Sequence, residues 1–303
     1  MHKKKIIKAG RSLKETTKAL VMIHGRGATA EDGEYLTEWK PFHLSTSVTV
    51  FAELKGRRQR YGRGKLGLVA FGDPVYPKDE KEHPIADFAV RSLVERGFDF
   101  SPLPAGAFEV NSIARLYSGS AQVYLGREAT EERVRLVSGG FRIIHFATHG
   151  IFDERSPLDS AIVLSIPAQQ RLGLDNGLLQ AWEIFDDLRL DADLVVLSAC
   201  ESGLGGEFRS EGLIGITRAF QYAGARSVLA SMWKVADRTT AVLMISFYRN
   251  LKAGLPKDEA LRRAQVRLMR TPIDIELEDG RHVSLIPSSP FYWAAFQVFG
   301  DWN

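Results

Sequence analysis

A single cysteine, Cys200, is all the thiol this 303-residue chain possesses. One cysteine cannot close an internal disulfide, so nothing in the sequence demands an oxidising compartment. It cannot build a cysteine-rich zinc site, and no paired His/His spacing of the metalloprotease type occurs, so no metal or cofactor is expected. No apolar stretch approaches the ~18 residues of a membrane span. The basic start, Lys3-Lys4-Lys5, runs into Gly10-Arg11-Ser12 rather than an apolar core, which is not a secretory signal. The expectation is a cytoplasmic protein that does not meet a membrane. Charge of one sign is scarce as well. Forty Lys and Arg against 37 Asp and Glu leave a net charge of +3, too little to argue for nucleic acid. Nucleotide loops are also missing: Gly56, Gly62 and Gly64 border a basic stretch, but no G-x-G-x-x-G or Walker spacing occurs.

What is present suits a well-packed α/β protein, with 45% hydrophobic residues. Residues 1–32 are the least settled part. Leu20 to Ile23 is a strand candidate followed by His24-Gly25-Arg26-Gly27, a pattern similar to the oxyanion strand of α/β-hydrolases. No G-x-S-x-G elbow follows it, so that similarity ends there. A strand and a short helix are expected between Tyr35 and Leu54, and a buried strand over Leu66 to Phe71. Residues 74–104, rich in proline and charge, read as a long surface excursion, partly helical over Ile85 to Arg96.

From there the pattern is regular. Ala107 to Tyr117 has helical spacing and closes at Gly119. Ala121 to Leu125 is a strand. Thr130 caps a helix running to Val137, with Glu131 and Glu132 in its first turn. Phe141 to Ala147 is the next strand. This βαβαβ order predicts a parallel sheet covered on both faces. A strand over Ala161 to Ser165, a short helix over Leu178 to Phe185 and a strand over Leu194 to Leu197 follow. Then come a helix from Glu211 to Tyr222, a strand from Ser227 to Ser231, and helices over Arg238 to Leu251 and Lys257 to Arg270. A hairpin turns at Asp279-Gly280 between Asp274 and Leu285. Tyr292 to Phe299 supplies a last helical turn and strand.

Two strands end in a way that carries chemistry. Leu194 to Leu197 stops at Ser198-Ala199-Cys200-Glu201-Ser202-Gly203. Phe141 to Ala147 stops at Thr148-His149-Gly150. Open α/β folds keep their sites at the carboxyl edge of the sheet. If the two strands are parallel neighbours, a thiol and an imidazole meet there, a nucleophile beside its base. The chemistry that follows is acyl transfer. His149 takes the thiol proton, Cys200 attacks a carbonyl, and the backbone N–H groups of Gly150 and Cys200 are the oxyanion donors. Asp153 is the nearest acid that could orient the imidazole, but as a loop residue it reads first as a turn-forming aspartate. His145 lies inside its strand among apolar neighbours and is read as a core histidine or a support for the base.

His145-Phe146-Ala147-Thr148-His149-Gly150 together with Leu197-Ser198-Ala199-Cys200-Glu201-Ser202-Gly203 resembles the CHAT domain, a caspase- and separase-related group of cysteine peptidases in clan CD. The likeness extends to Leu68 through Pro74, Gly126 through Thr130, Glu211 through Leu213, Ala223 through Ala225 and Met232 through Asp237. It covers roughly residues 33 to 302. It implies a caspase-like α/β/α sandwich with a mostly parallel central sheet, in a domain spanning 33–303 behind an N-terminal extension, 1–32, of uncertain role. It implies a His149/Cys200 dyad that cleaves a protein or peptide after a basic residue received by Asp237, with Glu201 and Glu211 as weaker candidates for the same pocket. Asp237 ahead of Arg238-Thr239-Thr240 also makes an ordinary helix start. The resemblance further implies latency until activation by a regulatory protein in a separate chain, with Gly203 to Ser210 as the flexible segment. A protease-like binding module with little or no hydrolytic activity remains the alternative.

Overall fold

The computed structural model describes residues 35–45, 51–54, 66–76, 98, 100–165, 175–198, 200–201, 211–233, 235, 237–276 and 282–303. The strand at Leu20, the helix at Ile85, the glycine-bearing basic stretch, the Asp279-Gly280 turn and the Gly203 to Ser210 segment lie outside the described residues. A short helix, α1 (Leu36–Trp39), opens the described chain. Within the stretch expected to hold a strand and a short helix, Leu44 forms a parallel bridge with Phe299, and residues 51–54 are helical.

The elements then follow in order: β1 (Leu66–Gly72), α2 (Pro104–Leu116), β2 (Ala121–Leu125), α3 (Glu131–Val137), β3 (Phe141–Ala147), β4 (His149–Ile151), β5 (Ala161–Val163) and β6 (Leu178–Gln180). After these come α4 (Ala181–Asp187), β7 (Leu194–Leu197), β8 (Cys200–Glu201), α5 (Glu211–Ala223), β9 (Ser227–Ser231), α6 (Asp237–Lys252), α7 (Lys257–Arg270), β10 (Ile273–Glu276), β11 (His282–Leu285), α8 (Pro290–Trp293) and β12 (Phe296–Gly300). Pro104 stands at the start of α2, where its missing N–H costs nothing, so the helix begins ahead of Ala107. The Thr130 hydroxyl accepts the Arg133 amide at 3.3 Å, the expected cap of α3.

Six strands form the central sheet in the order β12-β9-β7-β3-β1-β2. All neighbours are parallel except β12 against β9. Strand alternation sends side chains to two separate cores. Val69 and Phe71 of β1, Ile144 and Phe146 of β3, and Val195 and Leu197 of β7 join Val134 of α3, Ile184 of α4 and Ile216 and Phe220 of α5 on one face. Leu68, Ala70, Leu194 and Val196 join Val110 and Ile113 of α2, Leu243 and Phe247 of α6 and Leu261 and Leu268 of α7 on the other. The result is the expected α/β/α sandwich with a mostly parallel sheet. His145 projects into the second core, fully buried, with Nε2 2.9 Å from Glu109 of α2 and Nδ1 3.1 Å from the Tyr248 hydroxyl of α6.

One segment departs from the sequence reading. Leu178 to Gln180 is a strand rather than the first turn of a helix, and it pairs antiparallel with β5. The helix starts at Ala181, where Gln180 and Glu183 cap one another's backbone amides. Apolar residues at Leu178, Leu179 and Ile184 fit helical spacing, but β5 offers an unpaired edge, and pairing with it satisfies the backbone groups of 178–180. These strands belong to a second sheet of order β6-β5-β4-β8.

Candidate active site

The chain runs from β1 to β2 on one side, then returns to β3 on the other, so the strand order reverses between β1 and β3. Crevices at the carboxyl ends of such reversal points are where open α/β sheets bind ligands. β3 and β7 are parallel neighbours, with His145 opposite Val196 and Phe146 opposite Leu197. Beyond their ends the same two chains pair again. β4 runs parallel to β8, with His149 opposite Cys200 and Gly150 opposite Glu201. Register partners on adjacent strands stand about 4.8 Å apart along the hydrogen-bonding direction. The backbone therefore brings the expected base and the expected nucleophile side by side. Gly150 lies between two strands, opposite Ile162 of β5 as well as Glu201.

His149 is 3% exposed. Its Nε2 lies 2.7 Å from the carbonyl oxygen of Ser101. A carbonyl only accepts, so Nε2 carries the proton and Nδ1 of the neutral ring is left in its acceptor form. The Phe100 ring meets the imidazole edge-on at 5.9 Å between centroids, and the Tyr76 ring lies 5.1 Å away. Tyr76, Phe98, Ile151, Ala161, Val163 and Leu178 form a small apolar cluster of their own, with Phe100 packed against it.

Asp153, the acid nearest the imidazole in the sequence, is engaged by its own turn. Its carboxylate accepts the amides of Arg155 at 2.8 Å and Ser156 at 3.0 Å, which makes it the turn-forming aspartate of the loop after β4. Nε2 of the imidazole bonds the backbone carbonyl of Ser101. Sequence reasoning missed Ser101, Tyr76 and Phe100 because residues 74–104 read as a surface excursion. The signal was there: Phe98 and Phe100 are bulky aromatics in a polar, proline-bearing stretch, and such residues bury somewhere.

The loop after β4 is also tied to the helix after Cys200. Glu154 accepts the amides of Glu211 at 3.3 Å and Gly212 at 3.2 Å, capping α5 from outside its own sequence. The approach is close. A Cβ on Gly212 would sit 2.8 Å from the Asp153 nitrogen, and one on Gly215 would sit 2.8 Å from Pro157. Glu211 itself is the exposed first residue of α5, and Asp237 is the first residue of α6.

A third cluster braces the small sheet from behind. The Glu131 carboxylate accepts the Gly177 amide at 2.6 Å just before β6 and pairs with Arg135, which also reaches Glu183 at 2.8 Å and Asp175 at 2.9 Å. Burial and the neighbouring Glu183 charge push the Glu131 carboxyl up to about 7, against the pull of Arg135. Among the described residues no group of three or more His, Cys, Asp or Glu side chains is arranged to hold a metal ion, and no helix is long and apolar enough to cross a membrane.

A model of the CHAT domain family matches residues 19–301. Two curated relatives, tetratricopeptide repeat protein 28 of Mus musculus and of Homo sapiens, are 28% identical over 230 residues and 27% identical over 289. They cover 67% and 86% of this chain, which spans only 9% and 10% of them, about a tenth of their length. Among solved structures, the Arg-specific cysteine proteinase gingipain R is similar at 12% identity and a TM-score of 0.47, over 87% of this chain and 54% of that one. The separase–securin complex of Saccharomyces cerevisiae is similar at 11% identity and a TM-score of 0.46, over 89% and 14%.

Proposed function

The chain belongs to the CHAT domain family, and from that premise we propose that it is a cysteine endopeptidase working through His149 and Cys200. The observation that carries this reading is the register of His149 with Cys200 across the β4–β8 pair. In the proposed reaction, Nδ1 of His149 takes the thiol proton, and the Cys200 sulfur forms a bond to the scissile carbonyl carbon. The carbonyl electron pair moves onto oxygen, opposite the backbone N–H groups of Gly150 and Cys200. Collapse of that adduct expels the amine, which leaves with the proton from His149, and water later hydrolyses the thioester. The Ser101 carbonyl holds the ring in the tautomer this needs, and it steadies the imidazolium by accepting a hydrogen bond from Nε2–H throughout.

A basic residue before the cut, received by Asp237, is part of the proposal. It rests on the place of Asp237 at the start of α6, beyond β9 and so at the same carboxyl edge of the sheet as the dyad. Latency is part of it too. With His149 only 3% exposed, a peptide reaches the imidazole only after neighbouring segments part, and a regulatory protein in a separate chain is the agent proposed to part them.

The test is labelling by an arginine-directed, thiol-reactive covalent probe, in the wild type and in Cys200→Ala and His149→Ala. Labelling of the wild type, slow in the latent protein, that is lost in the first variant and slowed a further ~100-fold or more in the second is the expected result, the scale on which general bases contribute. Equal labelling of all three proteins would overturn the peptidase reading and leave the family's fold serving as a binding module.

A further inference from the structure

Tyr76 serves no purpose in the reaction just described, yet its hydroxyl touches the residue that carries the base. We propose that Tyr76 is a positioning residue for His149, through a phenol bridge between two backbone groups; the role as stated rests on the peptidase reading. The hydroxyl lies 3.4 Å from the amide of His149, which donates to it, and 3.3 Å from the carbonyl oxygen of Val163, to which it donates. His149 and Val163 are register partners across the antiparallel β4–β5 pair. The side chain therefore joins β4 to β5 at the residue whose ring does the chemistry.

The phenol is delivered by a segment that is itself anchored. Asp73 takes a left-handed φ of +45°, which turns the chain sharply out of β1. Its amide donates to the carbonyl of Ala147, the last residue of β3, at 3.2 Å. Val75 donates to the Ser165 hydroxyl at 2.8 Å, and that hydroxyl donates to the Gly126 carbonyl at 2.7 Å. The backbone on the N-terminal side of Tyr76 is thus tied to the strand that leads into His149 and to the chain leaving β5. Tyr76 is 7% exposed. Burial pushes its hydroxyl far above the ordinary tyrosine range, with the Asp73 charge adding to the shift and the His149 amide opposing it, so the group remains a donor.

A phenylalanine would fill the same apolar cluster. Only the hydroxyl can accept from one strand and donate to the other. Together with Phe100, which meets the edge of the imidazole, and Ser101, whose carbonyl accepts a hydrogen bond from Nε2–H, Tyr76 leaves the ring one orientation. Bases lose efficiency steeply when displaced by an ångström or less, which is why a single bridging oxygen matters.

The experiment uses the full chain carrying 15N in its histidine rings, as wild type and as Tyr76→Phe. Tyr124→Phe is the control, since its hydroxyl bonds Gln122 on β2 instead. The ring-nitrogen shifts of His149, assigned by their loss in His149→Ala, report the tautomer directly. The wild type and Tyr124→Phe are expected to show the Nε2–H form alone, and Tyr76→Phe a mixture of both tautomers. Alkylation of Cys200 by iodoacetamide is expected to slow by about tenfold in Tyr76→Phe, the size set by loss of one buried hydrogen bond near a reacting group. Unchanged His149 resonances in Tyr76→Phe overturn the proposal, even where thermal stability falls. An alkylation rate that is the same in wild type and His149→Ala sinks the peptidase reading instead, and the ring resonances still decide what Tyr76 does to His149.

Discussion

Glu154 caps Gly212, and through that contact the chain leaving His149 holds the start of the helix that follows Cys200. The two halves of the candidate site are thereby coupled outside the dyad itself. A carboxylate at a helix N-terminus satisfies orphan amides and meets the positive end of the helix dipole. Glu154→Ala is expected to cost about 1 kcal/mol of global stability, the usual price of a lost cap. Labelling of Cys200 should fall further than that stability loss explains, because β4 and β8 lose a shared brace. Urea denaturation alongside probe kinetics measures both. A variant with full stability loss and unchanged labelling would show the cap to be structural only.

The Gly212 contact has no room for a methyl group. Its Cβ would lie within 2.8 Å of backbone atoms of Phe152 and Asp153, which cannot swing aside as a flexible side chain would. Gly212→Ala should destabilise the protein by about 1–3 kcal/mol through overpacking. Gly140→Ala is the comparison, since nothing lies within 4 Å of its Cβ position. Equal melting temperatures for the two variants would contradict the close approach.

Stability should also depend on pH through Glu131. Burial, then the Glu183 charge, raise its carboxyl from an ordinary 4.5 to about 7 in the folded protein. A carboxyl with a raised folded pKa binds its proton more tightly when folded, so its contribution is complete below about 4.5. That contribution is lost as pH rises through about 7. Glu131→Gln keeps an acceptor for the Gly177 amide and removes the titration. Its melting temperature should vary less between those two pH values than the wild type's does. Parallel curves for the two proteins would remove Glu131 as the source.

Asp237 tests the specificity half of the proposed function. Asp237→Asn should slow labelling by the arginine-directed probe by about 2 kcal/mol, roughly thirtyfold, as when one partner of a close charge pair is truncated. Alkylation of the same variant by iodoacetamide, which carries no basic group, should stay at the wild-type rate. A proportional loss with both reagents would make Asp237 a helix-start residue and nothing more.

The strands of the central sheet were legible because each is long enough to show its pattern. Leu66 to Gly72, Phe141 to Ala147 and Leu194 to Leu197 are apolar runs with small residues at their ends, and the core covers both faces of them. The short strands were not legible. His149 to Ile151 and Cys200 to Glu201 have too few residues for any period to register, and Leu178 to Gln180 fits a helix as well as a strand until β5 is beside it. Glu154, Ser101 and Tyr76 were hidden for another reason. Each acts on a partner far away in the sequence, through a carbonyl, a hydroxyl or a carboxylate that many surface residues carry.

The residues alone determined that one thiol and one imidazole follow apolar strand segments, since side-chain identity and local period are properties of the chain. Whether the two meet depended on strand order, which is set by which faces bury one another. That decision placed β3 beside β7 and β1 beside β3, and it brought Ser101 and Tyr76 against His149. Such contacts are fixed only when distant segments share one core, so no stretch of sequence contains them.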